Sequence, residues 1–578
     1  MGAAALIACG GGDGSDQGLT VDPSSVRAPG AVVYQKDDWK LADETKQAVR
    51  GGVYPGYVAD ELEASWDPYL AQAGVVENFN DIGYEYLLDT NRGPGIEPGS
   101  DAYKTKIGAL AEKYEVADGG LRYTFTLRPG VKFHPIDPVN AREMDIEDWR
   151  SSYQRFIEVG SNRAGMLSIV DRVEYPDGRH MVIHMKEPYA PFLKRMDEQN
   201  FAFKIVPREL NDDPELVATR LIGTNFRMVD KVQPSIVQEF KKWDGYWKGD
   251  PFIDRWHYPV IPEASNVYSQ FVAQNIIGYT PTNQQALQLR QDAPDALLIG
   301  QEINPYDTPR GVWGAHDLDT SPWKDPRVRI ALHRAVDHEG IANFQGNKTA
   351  FEAVGVPIEV AFTTHAPREP EYWLDPRKGE LGDASENYLH DVAAARKLVE
   401  AAGYPDGFEI DVWCLINSRE ERQNLMLDNW KRFENDTKIR VNPVWKVRAE
   451  YYENLVYSNT FKGVQCTSGG SGGATDVDYV MFNNYYSEGR ASTFPDPKID
   501  EMVEAQRREL DPLKRAAIVK DWQKLVATLF PIQPTAHMFG TWDVEWAWLH
   551  NGNHRRGERG ALPSHVWWLD KSMPRRDG

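Results

Sequence analysis

The segment Leu121-Arg122-Tyr123-Thr124-Phe125-Thr126-Leu127 constrains this chain more than any other. Its apolar residues alternate with Arg122, Thr124 and Thr126, and a two-residue period turns one face of a β-strand to a core and the other to water. Asp118-Gly119-Gly120 before it tolerates positive φ, and Pro129-Gly130 after it presets a turn. The chain therefore supplies a half-buried strand here, bracketed by two turns. At 578 residues it is too long for a single core, and about three or four lobes are expected. Its 41% hydrophobic and 26% charged residues are those of an ordinary globular protein, and no apolar run reaches the ~18 residues of a membrane span. A formal charge of -21, with basic clusters as short as His554-Arg555-Arg556, argues against nucleic-acid binding, which needs grouped Lys and Arg.

Other stretches add helices. Trp149, Tyr153 and Phe156 fall at helical spacing, ahead of strands at 169–175 and 181–185 joined through Pro176-Asp177-Gly178. Asp325 then Pro326 opens a helix with a capping side chain and a Pro at its first position; Val328, Ala331, Leu332, Ala335 and Val336 give it one buried face. Val392, Ala395, Leu398, Val399 and Ala402 line another helix, which stops at Gly403 and turns into a strand at Phe408, Ile410 and Val412. A further helix with Met426, Trp430 and Phe433 leads to Ile439 and Val441. Such helix-strand units build a parallel α/β layer.

Taken whole, residues 110–134 read LAEKYEVADGGLRYTFTLRPGVKFH. This resembles the LAE-x-W-x-x-x-DG-x-x-YTF-x-LR-x-GVKFH signature of the family 5 extracellular solute-binding proteins, the peptide-binding receptors of ATP-driven importers, with Tyr114 in place of Trp. Asp67-Pro68 is similar to the family's LDP, residues 187–193 to KxPxAPFL, Leu221-Ile222-Gly223-Thr224 with Phe226 to VGTGPF, and residues 243–251 to NPDYWKGKP. DPRVRIALHRAVDHEGI, from Asp325 on, resembles D-x-RVRQAL-x-x-AIDR. The resemblance implies an α/β, two-lobed periplasmic-binding-protein-like fold of type II, cluster C, with an extra small α+β subdomain in the first lobe. The division it implies is a tether at 1–29, the first lobe at 30–88 and 205–298, the subdomain at 89–204, the second lobe at 299–538, and a return to the first lobe at 539–578.

The same resemblance implies a function. A small solute is held in the cleft between lobes and delivered to an ABC permease with its ATPase subunits; the receptor is a monomer, uses no cofactor and makes or breaks no bond. In dipeptide- and oligopeptide-binding members an Arg after a second-lobe strand holds the peptide carboxylate, and an Asp in a W-x-x-D loop holds the α-amino group. Arg419, after the run Trp413 to Ser418, stands at the first point, and its planar fork suits a carboxylate. Asp476 takes the second role with Asp478 behind it, Gly473 replacing the family's Trp. Tyr54, Tyr57, Trp66 and Trp413 are the rings expected at the cleft. An oligosaccharide, the rival ligand, would use such rings in place of terminal charges.

Residues 3–9 read AAALIAC ahead of a Gly-rich tether, and Leu6-Ile7-Ala8-Cys9 resembles a bacterial lipobox. That implies acylation of Cys9 and a lipid-anchored place in the periplasm or on the cell surface; the alternative is an alanine-rich disordered end. Cys414 and Cys466 then remain, either bridged or as two buried thiols. A secreted serine hydrolase is the reading from another class, because Gly469-Gly470-Ser471-Gly472-Gly473 fits G-x-S-x-G and His537 follows. Ala474-Thr475-Asp476-Val477-Asp478 is a poor helix opening after so much Gly, which weighs against it. Some family members carry nickel or haem, but Asn551-Gly552-Asn553 between His550 and His554 breaks any helix that would pair their rings, and no metal site is expected. No P-loop is present, so ATP hydrolysis belongs to a partner.

Overall fold

The computed structural model describes residues 30, 32–34 and 44–572 apart from 63–64, 71–73, 93–95, 97–99, 199–200, 301–302, 304, 307, 357, 417–419, 452–459, 467–475, 490–491, 536 and 553–562. The constraining segment is a strand, Arg122–Leu127, inside an antiparallel sheet ordered Ala111–Ala117, Arg122–Leu127, His180–Met185, Val170–Glu174. Its register sets Tyr123 opposite Ile183 and Phe125 opposite Met181, so the apolar residues of both strands share one face. Trp149, Tyr153 and Phe156 of the helix Ile146–Val159 join the same core. Asp145 and Asp148 start that helix with a reciprocal capping box. Leu121 departs from the expected alternation. It follows Gly120 (φ 83°) in a right-handed helical conformation, which breaks the strand's phase and leaves it 38% exposed.

Two four-stranded sheets stand in the rest of the first lobe. Val53–Pro55, Arg255–Pro259, Val237–Lys242 and Arg227–Gln233 lie in that order, the first pair parallel and the others antiparallel. In the other, Trp542–Trp546 pairs antiparallel with both Ala296–Gly300 and Gly278–Tyr279. A strand from near the end of the chain is thus hydrogen-bonded between two strands from near its middle.

The second lobe is the parallel layer that the helix-strand units predict. Phe408–Leu415 is central, parallel to Ile439–Lys446 on one side and to Val464–Gln465 on the other. Phe408, Ile410, Val412 and Cys414, two apart, meet Val328, Ala331 and Leu332 of the helix Pro326–Arg334 in one core. Trp430, from the helix Glu420–Arg432, donates its indole N–H to the Leu332 carbonyl at 2.9 Å.

The lobes are joined by crossing chain. Arg310–Gly311 pairs with Gln533–Pro534, and Val360–Ala361 pairs with Met538–Phe539. Helix Lys348–Ala353 also reaches over, stacking Phe351 on Trp542 in the first lobe's core. Histidines brace these crossings. His333 Nδ1 faces the Pro534 carbonyl at 3.0 Å and His365 Nε2 faces that of Ile532 at 2.9 Å, so each of these nitrogens carries a proton. His537 Nδ1 accepts from the Thr363 N–H at 3.2 Å, so it carries none. His338 stacks on His333, centroids 4.3 Å apart, and lies 5.7 Å from His537. Arg329 donates to the Leu529 and Phe530 carbonyls, fixing the chain where Phe530 takes a left-handed φ of 49°.

Candidate functional site

Where the α+β subdomain meets the second lobe, charged side chains from three distant segments converge. The apolar run that ends at Leu193 is followed by Lys194 and Arg195 on a single 3-10 turn, Leu193–Arg195. Opposite stands the N-terminus of the helix Val477–Tyr485. Asp476 is its N-cap, accepting the Asp478 N–H at 2.9 Å. Arg515, from the helix Pro512–Leu529, grips both Asp476 oxygens, at 2.9 and 2.5 Å, and Lys194 Nζ lies 3.5 Å away. Burial works to raise the Asp476 carboxyl, but Arg515 and Lys194 outweigh it and hold it well below the usual carboxylate range.

Asp478 is fully buried. It accepts from the Tyr189 hydroxyl at 2.5 Å, from Arg195 at 3.2 Å and from Gln506 at 2.7 Å, with Arg507 at 3.0 Å. Glu369 faces Lys194 at 3.2 Å, and the Tyr306 hydroxyl accepts from Lys194 at 2.9 Å. Burial raises the Glu369 carboxyl against the pull of Lys194. At the rim, Lys104 pairs with Glu371 at 2.9 Å and Arg508 with Glu187 at 2.5 Å, while the Ala190 N–H donates to the Arg507 carbonyl at 2.7 Å.

The other residues named from the sequence lie apart from this cluster or outside the described residues. Arg419, Ser471, His554 and Cys9 are in the latter group. Trp413 sits on the central strand, half-buried, donating its indole N–H to the Lys462 carbonyl at 2.7 Å with its ring edge-on to Phe461. Tyr54 is buried between Tyr258 and Trp567, 5.9 and 6.1 Å between centroids. Trp66 packs on Phe79 at 4.9 Å, and Tyr57 is half-buried against the first lobe's core. His537 is buried against Phe362 in the hinge. His550 is buried on Trp568 and lies 2.9 Å from Glu44. Among the described residues no group of three or more His, Cys, Asp or Glu is arranged to hold a metal. Cys414 and Cys466 are buried free thiols, and burial together with its neighbour Cys414 pushes Cys466 up.

Of the residues named from the sequence, Asp476 and Asp478 lie in this cluster; Lys194, Glu369, Tyr306 and Arg515, which accompany them, were not named. One signal was available. Lys194-Arg195 puts two charges directly after Phe192-Leu193, of which Phe192 is fully buried, and charges that close to a core need partners. Arg515 gave none, because its helix reads as an ordinary charged surface.

Comparison with known proteins agrees with this architecture. The model of the bacterial extracellular solute-binding proteins, family 5 Middle, matches residues 106–492. The heme-binding protein A of Haemophilus influenzae is 24% identical over 489 residues, covering 79% of this chain and 82% of that one. The dipeptide-binding protein of Escherichia coli is 26% identical over 340 residues, covering 55% and 59%. Among solved structures, the periplasmic binding protein DppA from Helicobacter pylori in complex with the peptide STSA superimposes with a TM-score of 0.73 at 18% identity, covering 92% of this chain and all of that one. The two-lobed α/β fold, the motifs spread along it and the match to residues 106–492 lead to one assignment: the chain belongs to family 5 of the bacterial extracellular solute-binding proteins.

Proposed function

We propose that this chain is the receptor of an ABC importer, which holds a small peptide or peptide-like solute between its lobes and hands it unchanged to a permease with ATPase subunits. The observation that carries the reading is the family match across residues 106–492, on a fold whose two lobes are joined by short crossing strands. Such a joint lets lobes close around a guest, and closure excludes water and strengthens the few polar contacts made. Relatives named as dipeptide-binding and glutathione-binding favour a peptide-like guest over a sugar. Arg419, which follows the central strand Phe408–Leu415 in sequence, is the proposed carboxylate holder, and Trp413, on that strand, is a proposed ring of the site; Asp476 and Asp478 act through the charged contact they anchor. The protein works outside the cytoplasm, tethered through an acylated Cys9, and carries out no catalysis.

Titration calorimetry with di- to tetrapeptides tests this. Arg419→Ala weakens binding of a carboxylate-bearing peptide by about 1.5 to 3 kcal/mol, the size of a lost charge-assisted hydrogen bond. Identical heats for the variant and the parent chain would remove Arg419 from the site, and absence of heat with every peptide would remove the peptide reading. Incorporation of labelled fatty acid that survives Cys9→Ala would remove the anchor.

A further inference from the structure

Lys194 joins three parts of the chain at one nitrogen. Its Nζ lies 2.9 Å from the Tyr306 hydroxyl, 3.2 Å from Glu369 Oε1 and 3.5 Å from Asp476 Oδ2. The two carboxylates are 6% and 2% exposed and belong to the second lobe; the lysine comes from the subdomain. Beside them Tyr372 is buried, with its hydroxyl close to Glu369. An ammonium offers three donors; here it donates to the Tyr306 hydroxyl and to Glu369, with the Asp476 carboxylate as a second counter-charge. Asp476 has a second cation in Arg515, whereas the one ion-pair partner of Glu369 among the described residues is Lys194. This is the acceptor set that a primary amine requires, already occupied by an amine that the protein supplies itself.

We propose that Lys194 is the resident cation of the Glu369–Asp476 pocket and determines specificity, filling with its own ammonium the place a solute's free amino group would take. The receptor thereby selects solutes whose amino group is blocked or absent. This deepens the receptor reading and rests on it. A solute amine has to displace a tethered one, which competes at an effective concentration of order millimolar or above. Displacement also takes the half-buried lysine away from its buried counter-charges, which is costly. A solute without a free amine leaves the pair intact.

Two measurements on the full chain test the proposal. In the first, the melting temperatures of the parent protein and Lys194→Ala are compared in n-butylammonium chloride and in sodium chloride of equal ionic strength. The variant melts lower in sodium and recovers in butylammonium, the parent does not respond, and adding Glu369→Gln to the variant abolishes the recovery. Lys194→Met, which keeps much of the apolar stem, replaces the alanine variant should that one fail to fold.

In the second, calorimetry compares alanyl-phenylalanine with its N-acetyl form. The parent binds the acetylated peptide at least as tightly as the free one, Lys194→Arg behaves as the parent, and Lys194→Ala shifts the ratio about tenfold towards the free amine, or about 1.4 kcal/mol. A parent protein that prefers the free peptide tenfold, or a variant indifferent to butylammonium, overturns the proposal. If neither peptide binds either protein, the peptide reading of the receptor falls, and the butylammonium response alone decides whether the pocket exists.

Discussion

The hinge and the subdomain contact both tie the two lobes together, and they do so by opposite chemistry. Around the hinge, His333, His338, His365 and His537 are buried, and three of them bond to hinge backbone or are bonded by it as neutral rings. The permanently charged groups acting on them are cationic: Arg329, Arg334, Arg368 and Arg377. Arg334, Arg368 and Arg377 spend their charge on Asp391, Glu359 and Asp375. The subdomain contact is built instead from full charges, Asp476, Asp478 and Glu369 against Arg515, Arg195, Arg507 and Lys194. A neutral brace fails when it acquires charge, and a charged contact fails when it loses a partner.

The largest expected effect is acid instability at the hinge. Burial holds His333 at about 4 and both His365 and His537 at about 3, against an ordinary 6.5, and it pushes His338 down as well. The unfolded chain therefore binds protons that the folded one refuses. Stability is complete above pH 6.5 and falls as pH drops from there towards 4, each histidine adding about 1.4 kcal/mol per pH unit to the slope. Denaturant unfolding across that window should show the slope of at least two protons. A flat profile would mean that the rings take up charge inside the fold. Asp476, held well below the usual range, stays ionised through the same window and does not mask the effect.

Next in size is Arg515→Ala, which leaves a buried carboxylate holding a helix N-terminus without its bidentate partner. A loss of about 3 to 5 kcal/mol is expected from denaturant unfolding at pH 7. A smaller one would show that Lys194 suffices.

Substitution of His338 separates the two chemistries further. Neither of its ring nitrogens has a hydrogen-bond partner among the described residues, so His338→Phe changes stability at pH 7 by about 1 kcal/mol or less while removing one proton's share of the acid slope. The smallest effect belongs to the rim. Arg508 and Glu187 are both about half exposed, and Arg508→Ala is expected to cost about 0.2 to 1 kcal/mol, vanishing in molar salt.

Much of the fold was legible because it follows from periodicity. The strand at 122–127, the Asp-Pro helix start at 325 and 326 and the helix-strand succession from 391 to 441 all appear as read. Leu121 was misplaced because a local turn, invisible to a two-residue period, takes precedence over it. The site was less legible. Asp476 and Asp478 stood out through a resemblance, but what surrounds them comes from residues 189–195, 306, 369 and 506–515, brought together only by tertiary packing. Tyr54, expected at the cleft, packs between Tyr258 and Trp567, and composition cannot tell a ring in a core from one that faces a ligand.

The central claim is that this protein holds a guest and releases it intact. Native mass spectrometry of the freshly purified full chain, followed by denaturation and extraction, measures that directly. The account predicts a discrete added mass on the folded protein and recovery of the same molecule unaltered, including a peptide added before the measurement. A folded protein that never carries added mass, or an added peptide recovered cleaved, would contradict it.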